Sequence, residues 1–545
     1  MRDGAKLILN RMSNISETPF DVIVIGAGIN GAGIARDAAM RGLNVLLLDK
    51  GDMSSGTTSW STRLIHGGLR YLEHGELGLV WESLRERQTL FHIAFHLVSP
   101  LPILIPIYEG QKRGPRTIRA GLIAYNLLSP GKAIPKYQML TRAAVLRQEP
   151  GVNPNGLEAA ALYYDAQVEF AERLVVENVL AAKTHGAVVM TYANVKKLIV
   201  RNHIVRGVEG TLTLSGEAFT AKSPIVVNAA GPWVDQVLAG AVDPPTRYIG
   251  GTKGSHLIVA PFSGAPSTAL YIEAQSDHRP FFIIPWNGKY LIGTTDIRYE
   301  GDLDKVQIDD AEIEYLLAET NAVIPSTKLT RDSILYAYSG VRPLPYTENQ
   351  DEQSITRRHS LHTHYNLDGV ISVVGGKLTT YRNLAKQTVD LIFKKLGRRS
   401  PECMTASVAL PGVGGRNLKT ISDRIKRIYG LSSQVSERLP RIYGSRASDL
   451  LQRAGDNKAL FEVFDTKTAA IGAEVVFSFR DELAQTLADC LLRRTMVGLN
   501  SSLGIGADQA AAKIAQRYLG WSEDRARAEV QGYRAYVKRF QIRQS

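Results

Sequence analysis

The clearest periodicity in the chain lies near its start. Residues 21 to 25 read "DVIVI", a short β-branched apolar run of the kind a buried parallel strand shows. After a glycine-rich break the apolar spacing turns helical and runs to about Met40. Asn44 to Leu48 then forms a second apolar strand, closed by Asp49. Residues 77 to 97, "LGLVWESLRERQTLFHIAFHL", have helical spacing with a mixed face. The next run, "VSPLPILIPIYEGQKRGPRTIRAG", is apolar, but Pro100, Pro102 and Pro106 forbid a regular helix through it. Lys112, Arg113, Arg116 and Arg119 follow at once. Two readings stand here: a buried, proline-stiffened loop, and a segment dipping into an anionic membrane surface.

Residues 186 to 230 alternate short apolar runs with turns and end in "IVVNAAGPWVDQV", a buried strand with a tight turn on Ala230 and Gly231. Residues 255 to 298 have the texture of an antiparallel sheet, with a hairpin tip at Asn287-Gly288. Residues 371 to 388, "ISVVGGKLTTYRNLAKQT", repeat strand, glycine turn and helix. From about residue 400 the pattern becomes helical after a linker, "LPGVGGRN". Leu483, Leu487, Cys490 and Leu491 trace one apolar stripe, and Ser522 is positioned to cap the last helix.

Composition narrows the class. A chain of 545 residues with 44% hydrophobic and 22% charged residues is long enough for two or three domains and is neither disordered nor membrane-spanning. No run of 18 apolar residues predicts a transmembrane helix. Residues 1–19 read as a leader without the apolar core of a secretory signal. The two cysteines, Cys403 and Cys490, make no disulfide framework and lack metal-site spacing, so no metal is expected and a reducing compartment is. The net charge of +12 suits an anionic partner, or else an inert basic surface. No recognition helix, RNA-binding aromatic motif or finger accompanies it, so no nucleic-acid partner is expected.

The first strand–helix–strand unit carries chemistry. Gly26, Gly28 and Gly31 fit G-x-G-x-x-G. The first allows a tight turn, the second lets a pyrophosphate approach the backbone, and the third lets helix and strand pack closely. The helix N-terminus offers N–H donors and partial positive charge, and Asp49 stands where a ribose-binding acid belongs. Such a unit holds NAD or FAD. Strand–glycine-turn pieces recurring far downstream favour a flavin pinned along its length, in a nucleotide domain assembled from distant segments.

Several stretches then resemble the FAD-dependent glycerol-3-phosphate dehydrogenases, the respiratory, membrane-associated enzymes of bacteria and mitochondria. These are "GAGINGAGIARDAAMRG", "TSWSTRLIHGGLRYLEHGE", "NAAGPWVDQV", "KGSHLIV", "IIPWNGKYLIGTTD", "YSGVRPL" and "GGKLTTYR", in order over residues 20 to 400, with "FRDELAQTLADCLLRRT" in the helical tail. The resemblance implies an α/β fold. A Rossmann-like FAD-binding domain would comprise segments 20–90, 160–232 and 330–398. An inserted antiparallel-sheet substrate domain would take 91–159 and 233–329, and a C-terminal helical domain 399–545. It implies oxidation of sn-glycerol 3-phosphate, a membrane quinone as acceptor, a homodimer, and a place on the cytoplasmic face of a bacterial inner membrane. The absence of a calcium-binding loop after residue 400 leans away from the mitochondrial relatives.

The resemblance also assigns residues. Arg70, Arg342, Arg357 and Lys377 would grip the phosphate, since forked, charge-assisted bonds hold a dianion best, and Tyr71 would line the same pocket. Ser59, Ser61, Thr62, Gly67 and Gly68 would run along the flavin. His66 would either polarise it or cap a turn. Further FAD contacts are expected from Asn30, Lys50, Val195, Ala230, Gly231, Gly376, Lys377, Leu378 and Thr379. His256 is one candidate proton acceptor. Lys377 is its rival, provided neighbouring arginines depress its pKa. Two alternatives remain at this point: a related flavin oxidase using oxygen or acting on amino acids, and a basic nucleic-acid- or membrane-binding protein with a vestigial nucleotide fold.

Overall fold

The computed structural model describes residues 15, 18–73, 75–129, 131, 134–241, 246–348, 355–415 and 417–542. Most of the leader expected over 1–19 lies outside them. Among the described residues two large sheets dominate, one of nine strands and one of ten. The first centres on Val22–Ile25, which pairs in parallel with Val45–Leu48 on one side and Val226–Asn228 on the other. Leu367–Val374 and Val188–Met190 extend it, again in parallel. All four residues of Val22–Ile25 are buried, as a strand covered on both faces requires. The helix Ile29–Met40 packs beside Ala171–Thr184 and Tyr381–Lys395. Three stretches distant in sequence thus form one layer.

The second sheet is mostly antiparallel and runs from Ile297–Arg298 to Leu64–Ile65. Its Pro280–Trp286 and Lys289–Gly293 hairpin turns on Asn287 and Gly288, both at positive φ (49° and 69°), as a tight hairpin turn demands. Besides Leu64–Ile65, two long strands expected in the nucleotide domain belong here instead. Leu157–Val168 pairs with Val98–Tyr108, and Ile334–Arg342 pairs with Thr252–Val259. Each is a long strand whose partners are fixed by cross-strand pairing, which a one-dimensional apolar pattern does not display.

The proline-rich run is neither a loop nor a membrane-dipping segment. Val98–Tyr108 is an eleven-residue strand between Leu157–Val168 and Ala269–Glu273. Pro100, Pro102 and Pro106 sit at alternate positions, so their missing N–H groups fall along one edge. The ladder to Leu157–Val168 runs the full length, whereas pairing to Ala269–Glu273 covers only Ile103 and Leu104. Prolines at alternate positions are tolerated because that second edge is mostly unpaired.

The C-terminal part is helical and joined to the first sheet by buried ion pairs. Arg173 is bidentate on Glu482 at 2.6 and 2.7 Å, and Arg494 is bidentate on Asp52 at 2.9 and 2.8 Å. Cys490 is fully buried, but Leu483 does not share its helix: it sits at φ +61° in the turn before Leu487. Among the described residues no helix is long and apolar enough to cross a membrane.

Candidate active site

A cavity of about 1060 Å³ opens where the glycine turn of the first strand–helix unit meets the second sheet. That lies at the top of the about 300–1,000 Å³ span of small-molecule sites. Gly26 adopts φ +101°, with Ala229 O only 2.5 Å from where its Cβ would stand. A Cβ on Gly31 would meet Gly26 O at 1.8 Å, so helix and strand approach as closely as a bare backbone permits. The helix Ile29–Met40 has a glycine at its N-cap and no acidic residue in its first turn; Ile29 N donates to Thr58 Oγ1 at 3.2 Å, and the rest of the N-terminus is left to an anion.

Asp49 lines the cavity. Its carboxylate accepts from Ala27 N at 2.6 Å and Gly51 N at 2.9 Å, while its removal from solvent raises its pKa against those bonds. Lys50 pairs with Asp304 and lies 4.2 Å over the Trp233 ring. Asn30 Oδ1 and Trp233 Nε1 are buried without a protein partner, and both residues line the cavity. Buried polar atoms need partners. A dinucleotide with a pyrophosphate at the glycine turn and ribose hydroxyls at Asp49 supplies them, so the residues present fit FAD.

At the far end, Lys377 lines the cavity and points its ammonium at Tyr71, 4.5 Å above the ring. It donates to Ser83 Oγ at 3.0 Å and His66 O at 3.3 Å. Burial brings its pKa down to about 7, with Arg357 a lesser influence and nearby carboxylates opposing. The depression expected from neighbouring arginines is therefore chiefly a desolvation effect.

Arg342 donates to Asp296 at 2.9 Å and Arg357 to its other oxygen at 2.8 Å. Burial disfavours the Asp296 carboxylate, yet the two arginines overcome this and hold its pKa below the ordinary value. Arg70 acts on both Asp296 and Tyr71. Arg342 and Arg357 share this one carboxylate, so the pair keeps a net positive charge for an anionic ligand. Asp296 was not singled out in the sequence. It ends the quoted "GTTD", where only the hairpin was read.

His256 shares a 2.9 Å hydrogen bond with Thr62 Oγ1, and its Nδ1 is buried without a partner. Burial, then Arg342 and Arg63, push its pKa well below the usual value and keep it neutral. His66 is likewise neutral, lowered to about 3 by burial and by Lys377 and Arg87.

The expected flavin-side residues divide. Gly26, Gly28, Asn30, Asp49, Lys50, Ser61, Val195, Ala230, Gly231, Gly376, Lys377 and Leu378 all line the cavity. Ser59 is fully buried and donates to Ser54 O at 2.5 Å. Gly67 N donates to Tyr125 OH at 2.9 Å, so that glycine packs away from the cavity. Gly68, at φ +80°, leaves room for the Tyr71 ring, which lies 2.0 Å from where a Cβ would stand. Thr379 Oγ1 accepts from His66 N at 3.1 Å and ties that loop to the second glycine turn. Arg63, which the sequence reading passed over, anchors the same loop. Fully buried, it is bidentate on Glu172 at 2.8 and 2.7 Å. Arg113 pairs with Glu73 and Glu273, which removes it from the exposed basic cluster.

Glycine turn, ribose acid and cavity together define a flavoprotein oxidoreductase. The family model described as FAD dependent oxidoreductase matches residues 21–382, and that of the C-terminal domain of alpha-glycerophosphate oxidase matches residues 403–526. A glycerol-3-phosphate dehydrogenase of Synechocystis sp. is 45% identical over 97% of this chain and 98% of its own. An aerobic glycerol-3-phosphate dehydrogenase of Staphylococcus aureus is 32% identical over 88% of this chain and 87% of its own. The solved glycerol-3-phosphate dehydrogenase of Bacillus halodurans, complexed with FAD, superposes with a TM-score of 0.81 at 28% identity and covers 99% of both chains. The protein belongs to the FAD-dependent glycerol-3-phosphate dehydrogenase family.

Proposed function

We propose that the protein oxidises sn-glycerol 3-phosphate to dihydroxyacetone phosphate and passes the electrons to a membrane quinone. The observation that carries the substrate is the gathering of Arg70, Arg342 and Arg357 around the single carboxylate of Asp296, beside Tyr71 and Lys377 at the cavity's end. An amino-acid oxidase needs one arginine for a carboxylate. Two guanidiniums held by one shared carboxylate, with Arg70 near them, suit a phosphate dianion.

Gly26, Gly28 and the helix start would hold the FAD pyrophosphate, and Asp49 the ribose. When bound, FAD supplies a two-electron acceptor that takes the hydride from C2. Arg342 and Arg357 bind the phosphate and fix the carbinol carbon at the cavity's end, and Tyr71 walls that end against water. The hydroxyl proton goes to neutral Lys377. A base is most effective when its pKa lies near the working pH, and Lys377 is brought down to about 7 whereas His256 is held well below its usual value. His256 instead holds Thr62 in place through Nε2.

Steady-state assays with glycerol 3-phosphate, glycerol, and D- and L-amino acids test the substrate. The phosphoester alone should reduce the protein efficiently, and comparable turnover of glycerol or an amino acid contradicts the reading. Placement at the cytoplasmic face of an anionic inner membrane is supported by the helix Pro115–Leu128. Lys112, Arg116 and Arg119 stand exposed at or just before its start, with Ile123 and Leu127 exposed further along. Replacing the three basic residues with glutamine should release the protein from anionic vesicles, and undiminished binding rules this face out.

A further inference from the structure

The cavity has a wall that the nucleotide fingerprint does not supply. The last long helix, Glu523–Val537, turns one stripe toward it: Arg525, Ala528, Glu529, Gly532, Tyr533 and Tyr536 recur at helical spacing, and all line the cavity. The stripe has a gap at its middle. A Cβ on Gly532 would meet nothing within 4 Å, so no packing partner calls for a glycine in this helix interior. Directly after the helix, Arg539 stacks 4.3 Å over Tyr536, and Phe540 lies 4.8 Å from Trp60, itself a lining residue. From the neighbouring C-terminal segment comes Arg493, 3% exposed. Its Nε bonds Asp52 at 2.6 Å and its Nη2 bonds Asp489 at 2.7 Å, but its Nη1 is buried without a partner, as is Arg539 Nε.

The position of this wall decides which part of the cofactor it meets. Arg493 reaches Asp52, three residues after Asp49. Tyr192, whose N–H donates to Gly51 O at 2.8 Å, bonds Asp489 through its hydroxyl at 2.6 Å. Asp489 and Arg493 therefore close on the ribose-acid end, and Phe540 reaches Trp60, whose Nε1 donates to Ser55 O at 3.2 Å in the loop that follows Asp49. The substrate cations cluster with Lys377 at the opposite end. We propose that the C-terminal domain is a clamp on the adenosine diphosphate half of FAD, with Arg539 and Arg493 donating to it and the Gly532 gap leaving room for it. It would act by slowing cofactor release, with no part in the chemistry at the flavin ring.

This rests on the FAD site and not on the substrate reading. FAD release from the full-length holoenzyme can be followed by the fluorescence of freed flavin, and the deflavinated full-length chain can be titrated with ADP and, separately, with FMN. Arg539→Gln should speed FAD release and weaken ADP about tenfold, the scale of one charge-assisted hydrogen bond, and leave FMN binding unchanged. Gly532→Phe, which fills the gap, should do the same. Reduction of the parent holoenzyme by glycerol 3-phosphate is measured apart from these titrations, so failure of the substrate reading would appear separately. ADP affinity equal to the parent's in both variants overturns the clamp, and equal losses for ADP and FMN overturn its assignment to the adenosine half. Should a variant not fold, amide exchange over residues 523–540 of the unaltered protein decides alone. ADP should slow it, and no change on adding ADP overturns the proposal.

Discussion

Two groups of arginines, one buried and one half-buried, sit on either side of the FAD cavity, and they differ in how their charge is met. In the C-terminal junction Arg173, Arg446, Arg493 and Arg494 meet three carboxylates, those of Glu482, Asp52 and Asp489. Arg173 is bidentate on Glu482, Arg494 is bidentate on Asp52, and Arg493 is divided between Asp52 and Asp489. At the other end Arg342 and Arg357 share the one carboxylate of Asp296. Nearly matched charge holds two parts of a chain together and leaves only Arg493 Nη1 to offer a ligand. Unmatched charge, held in place by a shared counterion, is a preformed anion site. The number of arginines alone does not separate the two. The ratio of carboxylates does.

The comparison is broken most forcefully at Glu482. Glu482→Ala leaves Arg173 and Arg446 uncompensated and should cost about 3–5 kcal/mol of stability in urea unfolding, with substrate affinity of the folded fraction intact. Burial opposes ionisation of Glu482, but Arg173 and Arg446 bring its pKa down to about 2, below the roughly 4.3 of an unfolded glutamate. Its contribution is therefore complete above about pH 4.3 and lost as pH falls toward 2. The parent should weaken over that acid window, and the variant should weaken less.

Arg342→Ala should show the converse: a loss of about 2–5 kcal/mol in substrate binding with little change in the unfolding midpoint. If it destabilises the fold as Glu482→Ala does, the division between matched and surplus charge is wrong. Asp296→Asn sharpens the point. It keeps the shape but loosens both arginines, and should raise KM about tenfold, or about 1.4 kcal/mol, without unfolding the protein.

The smallest expected effect is in pH. A base with a pKa of about 7 in the free enzyme makes kcat/KM rise as pH climbs through 7, because only neutral Lys377 accepts the proton. Lys377→Met should flatten that limb and His256→Asn should preserve it. The reverse pattern would move the proton to the imidazole.

What could be read without coordinates was whatever lies close together in the chain. The strand, glycine turn and helix around Gly26–Gly31, the acid at Asp49 and the hairpin at Asn287-Gly288 each carry their geometry in neighbouring residues. What stayed hidden depends on partners far away. Pro100, Pro102 and Pro106 obscure a strand because their tolerance depends on which edge Ala269–Glu273 occupies. Asp296 looks like a turn residue until Arg342 and Arg357 are brought to it from 46 and 61 positions away. Gly67-Gly68 was read as an approach to the flavin, yet Tyr125 and Tyr71 fill the space above it. The cavity-facing stripe of Glu523–Val537 has an ordinary amphipathic pattern, and nothing local in it names a cofactor.

Anaerobic reduction of the bound flavin by glycerol 3-phosphate, followed by absorbance in the parent and in Arg342→Ala, addresses the surplus-charge chamber most directly. The parent should bleach at low phosphoester concentration and resist glycerol at the same level. The variant should need at least about 30-fold more phosphoester, the factor that about 2 kcal/mol implies. Bleaching of both proteins at equal concentrations, or of the parent by glycerol as readily as by its phosphate ester, would contradict the account.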